Sequence, residues 1–226
     1  MTLLASGYGL QLLWGALVTV SLTLCALAIG TVLGIAGASA KLSRHRALRA
    51  VGGCYTAVVR GIPDLIIIYI LYFGGTIALT KLAGRYVEVS EFAAGATALG
   101  FVFGAYASEI FRGAIGKVPK GQHEAGHVLG LSTVAAFLLI ILPQAWRLAL
   151  PAFGNQSLIL LKQTSLVSVI GLEELARAAS VVSGATREPF TVFAGAAAIY
   201  LVLTATGTLL LHHAEARSAR KYAGGA

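Results

Sequence analysis

Charge is scarce in this sequence. Lys, Arg, Asp and Glu make up 12% of its 226 residues and only 9 of those are acidic, against about a quarter charged in an ordinary soluble domain. With 57% hydrophobic residues and a mean hydropathy of +0.82, this composition excludes a soluble fold and leaves no room for a large soluble domain. Cysteine is almost absent too. Cys25 and Cys54 lie in or beside apolar runs, which excludes a disulfide framework and predicts two small buried side chains. No G-x-x-x-x-G-K occurs anywhere, so the chain carries no phosphate-binding loop of that kind. The first seven residues hold no Lys or Arg, and the apolar stretch after them is longer than a signal-peptide core. An uncleaved first span is predicted.

What is there is a series of apolar runs of spanning length, each crossing needing about 20 residues. The first covers residues 10–38 and contains Gly30 and Gly34, four apart, a spacing that permits close helix contact in lipid. Lys41, Arg44, Arg46, Arg49 and Arg60 follow without an acid, so this stretch belongs in the cytoplasm and the N-terminus outside. A second span is predicted at 62–79, with Pro63 in its first turn. Lys81, Arg85, Glu88 and Glu91 then form a charge-balanced outer loop. The third span, 92–110, carries the small pair Gly100 and Gly104 and ends in Glu109 and Arg112, an interfacial ion pair.

Residues 132–172 could cross once or twice. One crossing keeps Arg217, Arg220 and Lys221 inside, whereas two would break the positive-inside pattern. The prediction is an apolar lead-in helix to Pro143 and one broken span at 144–172, interrupted by Pro151 and Gly154. The fifth span is 190–211. The fold class is therefore an all-α integral membrane protein with five crossings and its C-terminus inside.

Between spans three and four lies the one segment built to be gripped from outside. Residues 120–143 read KGQHEAGHVLGLSTVAAFLLIILP. Pro119 and Gly121 stop what precedes, Glu124 sits in the first turn, Gly130 ends the short helix at about 121–131, and Ser132 or Thr133 caps the next. A separately capped polar helix between spans is either a docking element for a soluble partner or an interfacial connector. His123-Glu124-Ala125-Gly126-His127 also satisfies H-E-x-x-H, the pattern of an intramembrane or other zinc metalloprotease, but no third ligand stands at a recognisable spacing.

Polar groups inside a membrane are expensive and are either partnered or functional. Arg147, Asn155, Lys162, Gln163, Thr164 and Ser165 all fall in the fourth span. A span broken at membrane depth must pack in protein or line water, which makes this one a candidate pore wall. Glu173 and Glu174 follow at its outer end, where a carboxylate could meet a cationic or amino-bearing solute. Glu173 and Arg177, four apart, could equally satisfy each other.

Glu124-Ala125-Gly126, three residues, Gly130, nine residues and Ile140-Ile141-Leu142-Pro143 resemble the EAA loop of ABC importer permeases, with Gly126 where that family usually has Ala. RGIPDL at 60–65, EIFRGAI at 109–115, VPKGQ at 118–122, LPQAWRLALPAFGN at 142–155 and LLKQTSL at 160–166 are similar to the polar amino acid permeases, nearest to those of the histidine/lysine/arginine/ornithine and opine importers. The resemblance implies a type I ABC importer permease (MetI-like) core, with residues 1–226 one permease domain in a bacterial inner membrane. It implies two ATP-binding subunits, a second permease subunit and a periplasmic solute-binding protein as partners, with a permease heterodimer expected and a homodimer the alternative.

The chain would then be no enzyme and hold no cofactor or metal, ATP and Mg being bound by a partner, and it would bind no nucleic acid. Gly121, Gln122, Glu124, Ala125, Gly126 and Gly130 would carry coupling. Asn155, Lys162, Thr164, Ser165, Glu173 and Glu174 would line the solute path. A secondary transporter would share the broken spans and intramembrane polar groups but would have no use for an EAA helix.

Overall fold

The computed structural model describes residues 7–223; for His123 and residues 219–223 it describes the backbone alone. The expectations on residues 1–6 and on the side chains of Arg220 and Lys221 lie outside the described residues. Eight helices follow in order: α1 (Tyr8–Leu42), α2 (Arg46–Gly61), α3 (Asp64–Ala83), α4 (Glu91–Lys117), α5 (Lys120–Val128), α6 (Thr133–Ile170), α7 (Leu175–Thr186) and α8 (Pro189–Ala223). Five of these, α1, α3, α4, α6 and α8, are long and apolar enough to cross a membrane.

The hub is α4, whose apolar stretch is 72% buried where that of α8 is 6% buried. Lipid tails are as apolar as leucine, so helices in a bilayer gain little from the hydrophobic effect on meeting and depend on packing. Small residues supply it. A Cβ on Gly30 would stand 2.6 Å from the Phe103 ring, and one on Gly34 would stand 2.6 Å from Ala107 Cβ. The expected small pairs thus seat α1 on α4. Contacts 30 to 103 and 34 to 107 rise together, which makes the two helices parallel. In contrast Gly95 meets Val167, while Phe103 and Phe111 pack on Phe153, so α6 runs antiparallel to α4. Gly154 meets Leu211 and Gly207 meets Leu158, so α8 reverses again.

This alternation gathers charges at the two ends. The ends of α1 and α4, the start of α6 and the last turns of α8 share one side, which carries Lys41, Arg44, Arg46, Arg49, Lys117, Lys120 and Arg217. Glu88, Glu91, Glu173 and Glu188 stand at the other, with Lys81, Arg85, Arg177 and Arg187.

Two elements were not expected. The basic stretch 46–61 forms α2, which buries Gly52, Thr56 and Val59 at spacings of four and three. The other is α7, which buries Leu175, Ala178, Ala179 and Val182, an i, i+3, i+4, i+7 stripe facing α1 and α8.

The predicted break in the fourth span does not form. Helix α6 is continuous from Thr133 to Ile170, with a π turn at Phe137–Ile141 and a 3-10 end at Thr164–Ile170. Pro143 sits at the start of its second α-helical portion and Pro151 is absorbed inside it. Gly154 is a notch for the Leu211 side chain. The chain leaves the helical conformation instead between α2 and the spanning helix α3, where Ile62 is extended at φ −105°, ψ 136° ahead of Pro63. Proline drives the residue before it out of the helical region, and nothing there restores the lost bonds. Nor are Cys25 and Cys54 buried as expected; both are exposed on the bundle exterior.

Candidate functional site

The short helix α5 is built locally. Pro119 precedes α5, which starts at Lys120, so Gly121 lies inside the helix and Glu124 in its second turn instead of its first. The C-terminus closes as a Schellman turn: Leu131 N–H donates to Gly126 C=O at 3.0 Å, Gly130 N–H donates to His127 C=O at 3.0 Å, and Gly130 takes φ +74°. Ser132 Oγ then caps α6 by accepting from Ala135 N–H at 3.2 Å. Gly126 is buried against α6, where a Cβ would stand 2.9 Å from Ala136 Cβ. That explains the glycine in this register: it lets α5 lie close on the start of α6. Gln144 Nε2 donates to Gln122 Oε1 at 3.1 Å and pins the two helices a second time.

The opposite side of α5 is open. Glu124, Ala125 and His127 are exposed, and Val128 and Leu129 are 87% and 73% exposed at its end. These apolar side chains stand at the basic end of the bundle, beyond the last turn of α4. Among the described residues no group of three potential metal ligands forms, and the His123 side chain lies outside them.

Along α6, Gln144, Asn155 and Lys162 recur at intervals of 11 and 7 residues, three turns and two turns of helix, and so share one face. Asn155 and Lys162 are exposed on it. The other expected path residues are placed differently. Thr164 is fully buried and donates to Leu161 C=O at 2.8 Å, and Ser165 donates to Lys162 C=O at 2.8 Å; both serve the 3-10 end of α6. Glu173 is exposed. Glu174 has no accessible surface, and its carboxylate accepts from Ala176 N–H, Arg177 N–H and Tyr200 O–H at 3.0, 2.9 and 2.9 Å, with Thr19 Oγ1 at 3.4 Å. It caps α7 and ties α1, α7 and α8 together. The Glu173–Arg177 pair does not form among the described residues.

Several partners escaped sequence reasoning because they come from distant elements. Asp64, at the start of α3, accepts from Gln163 Nε2 at 2.6 Å. Gln163 lies one turn inward of Val167, which faces Gly95, so Asp64 stands inside the bundle. The expected Glu109–Arg112 pair is present at 2.9 Å. Lys41 also pairs with Glu109 and bonds Thr56 Oγ1 at 2.6 Å, tying α1, α2 and α4. The Arg60 guanidinium stacks over the Tyr106 ring at 5.1 Å.

An all-helical bundle with five helices long and apolar enough to span, a capped helix presented at its basic end and a polar line on one spanning helix has the form of a membrane permease. The chain belongs to the family of binding-protein-dependent transport system inner membrane components, whose profile matches residues 29–220. Such permeases are multi-pass inner-membrane subunits that work with ATP-binding subunits and a binding protein.

The chain is 42% identical over 219 residues to the octopine transport system permease protein OccQ of Rhizobium radiobacter, covering 95% of this chain and 92% of that one. It is 40% identical over 205 residues to the arginine ABC transporter permease protein ArtQ of Haemophilus influenzae, covering 91% and 92%. Among solved structures, an amino acid ABC transporter solved with histidines matches with a TM-score of 0.84 and 34% identity over 95% of this chain and 97% of that one. The MetNI methionine ABC transporter in an inward-facing conformation shares the fold, with a TM-score of 0.76, 16% identity and coverage of 92% and 96%.

Proposed function

We propose that this chain carries polar amino acids or opines across the inner membrane, with its N-terminus periplasmic and its C-terminus cytoplasmic, paired with a second and related permease subunit. ATP and Mg are bound by the ATP-binding subunits. The observation that carries this reading is α5: a Schellman-closed helix pinned to α6 at Gly126 and Gln122, which leaves Glu124, Val128 and Leu129 free for a groove on another protein. The chemistry of the solute is suggested by the octopine, arginine and histidine/lysine/arginine/ornithine permeases it resembles.

In this mechanism the ATP-binding pair closes and pushes α5. Its two attachments to α6 pass the push on as a rigid-body rotation, because a helix has no soft joint where its bonds are intact. Asn155 and Lys162, exposed on α6, with Ser165 and Glu173 towards its outer end, line the path opened alternately to each side. Thr164 and Glu174 brace that wall from behind. The second crossing is α3, with Asp64 at its inner start held by Gln163 of α6.

The test is uptake into proteoliposomes holding the complete importer. Glu124→Arg should reduce binding-protein-dependent uptake at least tenfold while the chain still inserts and the α6 contacts persist. Normal uptake in that variant would refute coupling at α5.

A further inference from the structure

Arg60 is exposed near the end of α2, beside Lys41 at the end of α1. Tyr106, on which it stacks, is 11 residues from the end of α4 at Lys117, or about 16 Å along the helix axis. Among the described residues no carboxylate lies within ion-pair distance of Arg60. Tyr106 lies about one turn inside the interfacial Glu109–Arg112 pair, so Arg60 stands just within the boundary of the span, facing open space without an acidic partner.

The surroundings supply both space and the right sign of charge. Arg60 lines a cavity of about 530 Å³ with Lys41, Thr56, Gly61, Tyr106 and Glu109, a size within the range of small-molecule sites, about 300–1,000 Å³. Glu109 is the one carboxylate in that lining, and Lys41 and Arg112 already hold both of its oxygens. The cavity therefore offers a spare positive charge. Its wall reaches Gly61, the last residue of α2, just ahead of the extended Ile62. On α4, Tyr106, Glu109, Gly113 and Lys117 fall on one face, and a Cβ on Gly113 would meet nothing within 4 Å. Gly113 thus faces open space, and at the basic end Lys117, Gln144 and Arg147 line a second pocket.

We propose that Arg60, held flat against Tyr106, is a subsite for the carboxylate of the solute in the inward half of its path. Stacking fixes the guanidinium plane and leaves its N–H edges for a two-point contact with a planar carboxylate, which lysine could not reproduce. This rests on the amino acid reading above and adds to it the part of the solute that is held and the residue that holds it.

The test uses the complete importer. Wild-type proteoliposomes are first assayed with arginine, histidine, lysine and ornithine; uptake of none would refute the amino acid reading itself. For the best substrate, binding to the importer in nanodiscs without binding protein is measured by saturation-transfer NMR against its decarboxylated amine, agmatine in the case of arginine. Wild type should prefer the amino acid at least tenfold. Arg60→Gln should abolish that preference, bringing the ratio to about one, and Arg60→Lys should restore only part of it. Equal binding of acid and amine by wild type, no binding of either, or a preference that survives in Arg60→Gln would overturn the subsite while leaving transport intact.

Discussion

At the scale of single residues, the two carboxylates at 173 and 174 separate cleanly. Adjacent in sequence, they sit in opposite environments: one exposed, the other buried with donors from α1, α7 and α8 around it. Hydrogen bonds to a charged group are each worth about 1.5–3 kcal/mol, and donors left without an acceptor add a desolvation penalty. Glu174→Ala should therefore lower the midpoint of thermal unfolding in detergent and cut uptake only in proportion to folded protein. A variant of unchanged thermal stability with uptake lost would instead place Glu174 on the solute path. Gly130 is decisive for a different reason. At φ +74° it occupies the left-handed region, where an L side chain costs about 1–2 kcal/mol. Gly130→Ala should loosen the end of α5 and reduce the ATP hydrolysis stimulated by loaded binding protein, with uptake falling in parallel; unchanged stimulation would show that the Schellman turn is dispensable.

At the scale of elements, helix breaks follow backbone chemistry more closely than residue type. Pro63 separates α2 from α3 because Ile62 is extended before it, whereas Pro151 sits inside an unbroken α6. The difference is context: α6 is held between α4, at Phe153 against Phe103, and α8, at Gly154 against Leu211, on either side of the missing bond. The α1–α4 pair depends on the absence of side chains. Gly34→Leu would drive a branched side chain into Ala107, and overpacking of that kind costs about 1–3 kcal/mol. Lower thermal stability with retained membrane insertion is the expected outcome, and an unaffected melting midpoint would show that α1 slides on α4 without penalty.

At the scale of the whole molecule, alternating helix directions leave an excess of basic residues at one end, while those at the other end, Lys81, Arg85, Arg177 and Arg187, are balanced by four acids, and a membrane reads that asymmetry as cytoplasmic. In a version lacking Cys25 and Cys54, Tyr86→Cys should react with a membrane-impermeant maleimide from outside intact cells. Val128→Cys should react only after permeabilisation. The reverse pattern would invert the topology and remove α5 from the reach of any cytoplasmic partner.

Composition and period by themselves determined the class, the five apolar helices, the small-residue contacts and the docking helix. Each is a local property: apolar length, spacing of glycines, a cap at Ser132 and a left-handed glycine at 130. Only the tertiary structure decided which polar groups face space and which are consumed. Glu174 looked like a ligand until Thr19 and Tyr200 came to it from 155 and 26 residues away, and Arg60 looked like one more cytoplasmic cation until α2 folded back along α4. Burial and partnership are sums over distant neighbours, and no local pattern contains them.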